Sequence, residues 1–146
     1  MFKFGLSAAT AADAGVFEVS YTDEQWRQRL TPAQFSVLRD HGTERAGSSA
    51  LDHEKRDGVF ACAGCDLELF DAKTKFDSGT GWPSFYDHLP KAIGTSVDKS
   101  WFSVRTEVHC RRCGGHLGHV FDDGPKPTGL RYCMNGVAMK FLPRAG

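Results

Sequence analysis

The spacing of hydrophobic positions changes once along this chain, close to residue 57. Before that point apolar residues recur three or four positions apart: Trp26 is followed by Leu30, and Phe35 by Leu38. This spacing puts each pair on one face of a helix. The pattern therefore predicts two short helices within residues 21–41.

Polar residues mark the start of both predicted helices. Thr22 stands three residues before Gln25, the spacing of a capping box, in which each side chain bonds to the other residue's backbone amide. Thr31 precedes Gln34 in the same way, with a proline at the first helical position between them. Gly42 is expected to end the second helix.

After residue 57, short aromatic and β-branched runs alternate with glycine and proline, which is typical of strands and turns. Turn-rich loops are predicted at 79–83 and 122–127. The expected fold class is mainly β, an antiparallel domain covered by the N-terminal helices. Strands are predicted at residues 59–61, 101–108, 118–121, 130–135 and 137–142.

The length of 146 residues predicts one domain. We place it at residues 21–146, after a flexible extension of residues 1–20 that matches a signal peptide poorly. The 18 basic and 18 acidic side chains give zero net charge, so composition makes no electrostatic case for nucleic acid or a membrane surface as a partner. No apolar run approaches the roughly 20 residues of a membrane span.

Five cysteines are the strongest chemical signal in the chain. Four of them form two Cys-x-x-Cys pairs, and this spacing lets both sulfurs of a pair reach one metal ion. One zinc ion bound by both pairs, plus one free thiol, accounts for every cysteine. Thiolate ligands and a free thiol suit a reducing compartment, so the expected location is the cytoplasm. The pairs are Cys62 with Cys65 and Cys110 with Cys113, and the free thiol is Cys133.

Two other arrangements fit the same paired spacing. The pairs could be redox-active dithiols or disulfides instead of metal ligands. Alternatively, zinc could take His116 in place of one thiolate, since it follows Cys113 by three residues.

Cys133 lies in a predicted strand, where alternate side chains share a face. Arg131, Cys133 and Asn135 are expected on one face, with Tyr132 and Met134 on the other. A guanidinium two residues from a thiol favours the thiolate, which is the nucleophilic form. The competing interpretation is a buried structural cysteine, since free cysteine often behaves as a small hydrophobic residue.

Two other segments favour a reactive site. His116 and His119 lie three residues apart among glycines, and histidine is the common acid–base partner of a reactive thiol. Trp82 lies between a glycine and a proline, where its ring is suited to form the wall of a small apolar pocket.

Together these motifs resemble the methionine-R-sulfoxide reductase B family. The resemblance covers roughly residues 21–143, with both Cys-x-x-Cys pairs in the family's order. Its most specific segments are residues 55–60, 76–85, 116–121 and 131–135.

The resemblance implies a β-tent of two antiparallel sheets, a structural zinc at the four paired cysteines, and Cys133 as the catalytic nucleophile. It implies that Trp82 contacts the terminal methyl group of the substrate. The other residues that it places around the thiol are His116, His119, Arg131 and Asn135, with Asp123 and Phe121 in the substrate pocket.

The implied reaction repairs oxidised proteins by reducing the R epimer of methionine sulfoxide. The Cys133 thiolate attacks the sulfoxide sulfur while an acid protonates the oxygen. His119 or His116 is the expected acid, because imidazole titrates near neutral pH. The products are methionine and a sulfenic acid on Cys133.

Thr80 departs from the family pattern, because many members have there the cysteine that resolves the sulfenic acid through an internal disulfide. With the other four cysteines assigned to zinc, no resolving thiol remains in this chain. We therefore expect an external thiol as reductant: thioredoxin, glutaredoxin or glutathione.

Two rival functions fit part of the sequence. A zinc-stapled binding module without catalysis would explain the paired cysteines, but the chain lacks a basic stripe and carries the extra thiol beside an arginine. A different thiol-dependent reductase or peroxidase would also use Cys133. Consumption of the R-sulfoxide alone separates the family function from both.

Overall fold

The computed structural model describes residues 17–100 and 103–144. Two helices precede nine strands, with short 3-10 turns between some of them. The helices are α1 (Asp23–Arg29) and α2 (Pro32–Asp40). The strands are β1 (Gly58–Cys62), β2 (Glu68–Asp71), β3 (Lys75–Phe76), β4 (Ser84–Phe85), β5 (Ile93–Ser100), β6 (Ser103–Cys110), β7 (His116–Phe121), β8 (Arg131–Met134) and β9 (Met139–Pro143).

Both predicted capping boxes are confirmed. The Thr22 side chain accepts from the Gln25 amide, and the Thr22 amide donates to the Gln25 side chain. Thr31 and Gln34 form the same two bonds. The expectation for the end of α2 needs a correction, because His41 and not Gly42 takes the left-handed conformation, with φ of 54°. The amide of Gly42 then donates to a carbonyl of the last helical turn.

The strands form two antiparallel sheets, which confirms the predicted fold class. One sheet has three strands in the order β2-β1-β9, and the other has six in the order β3-β4-β8-β7-β6-β5. The predicted strands at 59–61 and 118–121 lie within β1 and β7. The last strand begins at Met139 rather than 137, because residues 136–138 form a 3-10 turn.

The sequence did not predict four of the strands that the structure describes. Each of β3 and β4 has two residues, too few to show alternation. Strand β5 has mostly small and polar residues and lies at the edge of its sheet, so its sequence contains no hydrophobic run that would predict a strand. Strand β2 has four residues, of which only the central two are buried. The prediction at 101–108 falls on β6, although residues 101 and 102 lie outside the described part of the chain.

Aromatic side chains from both sheets meet in the core. Phe60 of β1 packs edge-on against Phe85 of β4, with 5.0 Å between ring centroids, and Phe70 of β2 stacks on Phe85 at 4.4 Å. Leu117 and Met134 are fully buried beside them. One face of the six-stranded sheet thus packs against the core. The opposite face is available for functional side chains.

Most of the predicted N-terminal extension lies outside the described residues, so its flexibility stays a prediction. Its last residues lie against the turn that follows β6, where the Val19 amide donates to the Arg112 carbonyl over 2.9 Å. Glu18 pairs with Arg111 at 2.8 Å. Within the described residues, no helix is long and apolar enough to cross a membrane.

Candidate active site and metal centre

A row of polar side chains crosses five strands on the outer face of the six-stranded sheet. Directly opposite partners in an antiparallel pair share a face. The pairing places Cys133 of β8 between His119 of β7 and Ser84 of β4. It continues from His119 to Glu107 of β6, and from Glu107 to Ser96 of β5. The predicted thiol and one predicted histidine are therefore neighbours in space.

A bulge in β7 brings the second histidine to the same face. His116 and His119 are three residues apart, an odd spacing that would point them to opposite faces of a regular strand. The β6–β7 register shifts next to His109, which pairs with His116, so β7 holds one extra residue. As a result the two imidazole rings lie 5.5 Å apart.

The thiol of Cys133 is half-buried. Burial raises the pKa of Cys133, while a hydrogen bond from Thr80, the charge and side chain of Arg131, and a hydrogen bond from Ser84 pull it down. The expected influence of Arg131 is present, but burial outweighs it. The alternating pattern of β8 also holds, with Arg131 and Cys133 partly exposed between buried neighbours.

Arg131 is fixed on both sides. Its guanidinium donates to both carboxylate oxygens of Asp123, over 2.9 and 3.1 Å, and lies 4.4 Å from the centre of the Phe121 ring. The hydrogen bonds from Arg131 lower the pKa of Asp123. These three predicted site residues thus form one cluster beside the thiol.

His119 has a carboxylate partner that the sequence did not reveal. Its Nε2 lies 2.9 Å from Oδ2 of Asp98, on the edge strand β5. Burial lowers the pKa of His119, and the hydrogen bond to Asp98 opposes that shift. Asp98 also pairs with Arg105 at 3.2 Å.

His116 is buried and held by Glu107. Its Nδ1 lies 2.8 Å from Oε2 of Glu107, whose other oxygen receives hydrogen bonds from Ser96 at 2.8 Å and from His109 at 2.9 Å. Burial favours the neutral acid, but these three hydrogen bonds together hold the pKa of Glu107 well below its usual range. A cavity of about 400 Å³ opens beside this network, lined by residues that include Asp98, Glu107, His116 and His119.

Trp82 and Asn135 are anchored through the loop that follows α2. The indole Nε1 of Trp82 donates to the Glu44 carbonyl over 3.0 Å. Asn135 lies just beyond the end of β8, where its Oδ1 accepts from the Glu44 amide and its Nδ2 donates to the Leu117 carbonyl, each over 2.9 Å. The Glu44 carboxylate in turn accepts from the amides of Gly136 and Val137.

The four paired cysteines meet away from this face, with all four sulfurs within 4.8 Å of one another. The Sγ–Sγ distances are 3.7 Å for Cys62 and Cys113 and 3.5 Å for Cys65 and Cys110. A zinc ion with four sulfurs at 2.3 Å requires separations of about 3.8 Å, whereas a disulfide requires about 2.05 Å. The donor set and spacing therefore fit a metal ion such as zinc.

Backbone amides support this cluster. The amides of Gly64 and Gly115 point at the sulfurs of Cys62 and Cys113, over 3.3 and 3.4 Å. Gly114 takes the left-handed conformation in the second turn, with φ of 75°. His116 belongs to the Glu107 network instead of this cluster, so the alternative that made it a ligand is not favoured.

Sequence reasoning missed the partners of the histidines and of the indole. Glu107, Asp98 and Glu44 look like ordinary strand and loop residues, and only strand register and loop packing bring them to the site. The one available signal was that Glu107 falls inside a predicted strand at a position that shares a face with His109.

Comparison with known proteins identifies the family of this chain. A model of the SelR domain matches residues 30–143. A peptide methionine sulfoxide reductase MsrB from Pseudomonas entomophila is 53% identical over 128 residues, which cover 87% of this chain and 98% of that protein. Proteins of the same name from Methanosarcina barkeri and Leifsonia xyli are 53% and 51% identical, over 84% and 90% of this chain and 87% and 96% of theirs. The chain therefore belongs to the SelR domain family and, with these relatives, to the peptide methionine sulfoxide reductases of the MsrB type.

Proposed function

We propose that this protein reduces the R epimer of methionine sulfoxide in peptides and proteins, with Cys133 as nucleophile. The observation that carries the proposal is the row of paired residues that sets Cys133 beside His119, next to a cavity walled by carboxylate-held histidines. A protein-repair role in a reducing compartment such as the cytoplasm follows from this chemistry, because the resting enzyme needs a free thiol.

In the proposed reaction, the Cys133 thiolate attacks the electrophilic sulfur of the sulfoxide. A proton delivered to the sulfoxide oxygen makes that oxygen a better leaving group. The bond formed between the Cys133 sulfur and the substrate sulfur then breaks, and its electron pair returns to the methionine sulfur. A hydroxyl oxygen, from the sulfoxide or from water, bonds to the Cys133 sulfur, so that the products are methionine and a sulfenic acid. The two-electron reduction of the substrate is balanced by the two-electron oxidation of the cysteine.

Two histidines are suited to deliver the proton, and their partners fix which nitrogen is available. Asp98 holds Nε2 of His119, which leaves Nδ1 for the substrate. Glu107 holds Nδ1 of His116, which leaves Nε2. For His119, the hydrogen bond to Asp98 also favours the charged imidazolium, the form that donates.

Stereospecificity is proposed to come from anchored walls on either side of the thiol. Trp82, fixed through its indole nitrogen, would contact the substrate methyl group. Asn135 and Arg131 would face the polar atoms, with Asp123 and Phe121 holding Arg131 in place. The sulfoxide sulfur is a stereocentre. The opposite configuration would place the oxygen against the apolar wall and the methyl group against the polar residues.

An external thiol is proposed to resolve the sulfenic acid, from thioredoxin, glutaredoxin or glutathione. Thr80 hydrogen-bonds to Cys133 where many family members have the resolving cysteine. The remaining cysteines are clustered with each other. We propose that this cluster binds one structural zinc ion, whose role is to tie the β1–β2 turn to the β6–β7 turn.

A single-turnover experiment tests this proposal. Without reductant, one equivalent of R-sulfoxide should yield one methionine per enzyme, and dimedone should label Cys133, as read by peptide mass spectrometry. The C133S variant should give neither product. An internal disulfide in place of the dimedone adduct would contradict the one-cysteine cycle and implicate a cysteine of the cluster.

A further inference from the structure

The outer face of the sheet holds a second group of potential metal ligands, separate from the four cysteines. We propose that His41, Glu107 and His116 bind a divalent transition-metal ion of the zinc type. One ligand atom from each of the three lies within 4.8 Å of the others. The His41 and His116 rings are 5.0 Å apart, at an interplanar angle of 34°.

The donor set selects the class of ion. Two imidazole nitrogens and one carboxylate oxygen suit Zn²⁺, Fe²⁺, Co²⁺ or Ni²⁺, whereas Mg²⁺ and Ca²⁺ prefer oxygen ligands. Three protein ligands leave at least one coordination position for water or a small molecule. The cavity of about 400 Å³ that these residues line provides space for it.

The two buried ligands are already oriented. Glu107 is 5% exposed and His116 is 2% exposed. Oε1 of Glu107 is occupied by Ser96 and His109, while Oε2 faces His116 over 2.8 Å. Outer partners of this kind fix a ligating carboxylate in place. An ion would take the position between Oε2 and the imidazole, with a small increase of that distance.

His41, the third ligand, lies where an ion would enter the site. His41 is exposed at the end of α2, and its left-handed backbone turns its ring over His116. A cation, Arg105, lines the same cavity, but its charge is paired with Asp98 at 3.2 Å. An approaching ion therefore meets the negative charge of Glu107 behind an accessible imidazole.

Binding here would have a functional consequence, which rests on the proposed function. An ion on His116 would remove one of the two imidazoles proposed as proton donors and fill part of the cavity. The ion would therefore inhibit the reductase, in contrast to an ion in the cysteine cluster, which supports the fold.

Calorimetric titration tests the site without using turnover. The full-length C133S variant removes the free thiol, and its cysteine cluster is first saturated with one equivalent of Zn²⁺. Further Zn²⁺ should bind with a stoichiometry of one. The H41A change should weaken that second binding by at least about tenfold, while the matched H53A change, at an exposed histidine elsewhere, should leave it unaltered.

Cobalt gives a spectroscopic check of the ligands. Co²⁺ added after zinc should produce the weak visible bands of a nitrogen and oxygen site, and H41A should abolish them. Absence of a second equivalent in C133S, or second binding of equal affinity in H41A, would overturn the inference. Absence of reductase activity in wild-type enzyme that carries zinc in its cysteine cluster alone would overturn the proposed function instead, so the two failures are distinguishable.

Discussion

The pKa of Cys133 depends on burial, which raises it, and on three polar neighbours, which lower it. Thr80 is one of those neighbours, and its place beside the sulfur explains how a cysteine there could serve as a resolving thiol. The hydroxyl supports the thiolate but cannot form a disulfide. In the proposed mechanism, the identity of residue 80 would therefore decide which reductant the enzyme needs, without altering the nucleophile.

The T80C change should convert the one-cysteine cycle into a two-cysteine cycle. After one turnover with sulfoxide, an internal disulfide between residues 80 and 133 should form, and the dimedone adduct should disappear, as read by peptide mass spectrometry. The matched T95C change puts a cysteine on β5 at a position that faces away from Ser96 and the site. A T95C protein that lost the adduct equally would contradict the account.

Asp98 favours the charged form of His119 against the opposing effect of burial. The proposed acid role needs that charged imidazole, so activity should fall as pH rises through the pKa of His119. Hydrogen bonding to Asp98 raises this pKa against the lowering effect of burial. The D98N change should therefore move the alkaline limb of the kcat/KM profile to lower pH.

A proton NMR titration of the His119 ring checks the same shift independently of turnover. The D122N change, at an exposed aspartate, is the matched control and should leave both profiles in place. An unchanged His119 titration in D98N would remove Asp98 from the mechanism.

Residue type and spacing in the sequence predicted the reactive side chains but not their hydrogen-bond partners. Cys133, both histidines and Arg131 are recognisable from residue type and local spacing. Glu107 and Asp98 reach them through strand register, and His41 reaches His116 from the end of α2. Short-range pattern encodes neither of these, nor the bulge in β7.

Among the elements, the loop after α2 links the helical cover to the site. Glu44 holds Trp82 and Asn135 through its backbone, and its carboxylate accepts from the first amides of the 3-10 turn at Gly136–Ala138. One loop residue thus positions two proposed substrate contacts and the turn that leads into β9.

The E44A change should lower the free energy of unfolding by about 1–3 kcal/mol, because it leaves two part-buried amides without their acceptor. It should also raise KM more than it lowers kcat, because the loop whose Glu44 carbonyl holds Trp82 would no longer be tied to the turn at Gly136–Ala138. Urea denaturation and steady-state kinetics measure the two effects. The E68A change, at an exposed position of β2, is the control and should change neither quantity appreciably.

Elements were predictable where their own residues specify them. Both helices carry capping boxes, and the strands rich in apolar residues were identified from alternation and β-branched content. The edge strand β5 and the two-residue β3 and β4 depend on pairing with neighbours for their conformation. That is tertiary information, and it also determines the side chains beside Cys133.

Across the whole molecule, the cysteine cluster joins turns that are far apart in sequence. Cys62 ends β1 and Cys65 follows it, while Cys110 ends β6 and Cys113 lies in the turn before β7, so an ion would connect the two sheets. Structural zinc contributes its binding free energy directly to folding.

Removal of the metal should destabilise the entire domain. A strong chelator should lower the midpoint of thermal unfolding by more than about 10 °C, measured by circular dichroism while a colorimetric chelator reports zinc release. Without chelator, the C133S variant, which leaves the cluster intact, should hold as much zinc as the wild-type protein and unfold at the same midpoint. Equal midpoints with and without chelator would show that the cluster is not a structural metal site.

Separated epimers test whether Cys133 carries out a stereospecific reduction. The wild-type protein and C133S, each holding one equivalent of zinc, are incubated with R- or S-methionine sulfoxide peptides and dithiothreitol, and methionine is quantified. We predict that the wild-type protein consumes only the R epimer and that C133S consumes neither. Consumption of both epimers at similar rates, or turnover by C133S, would contradict the account.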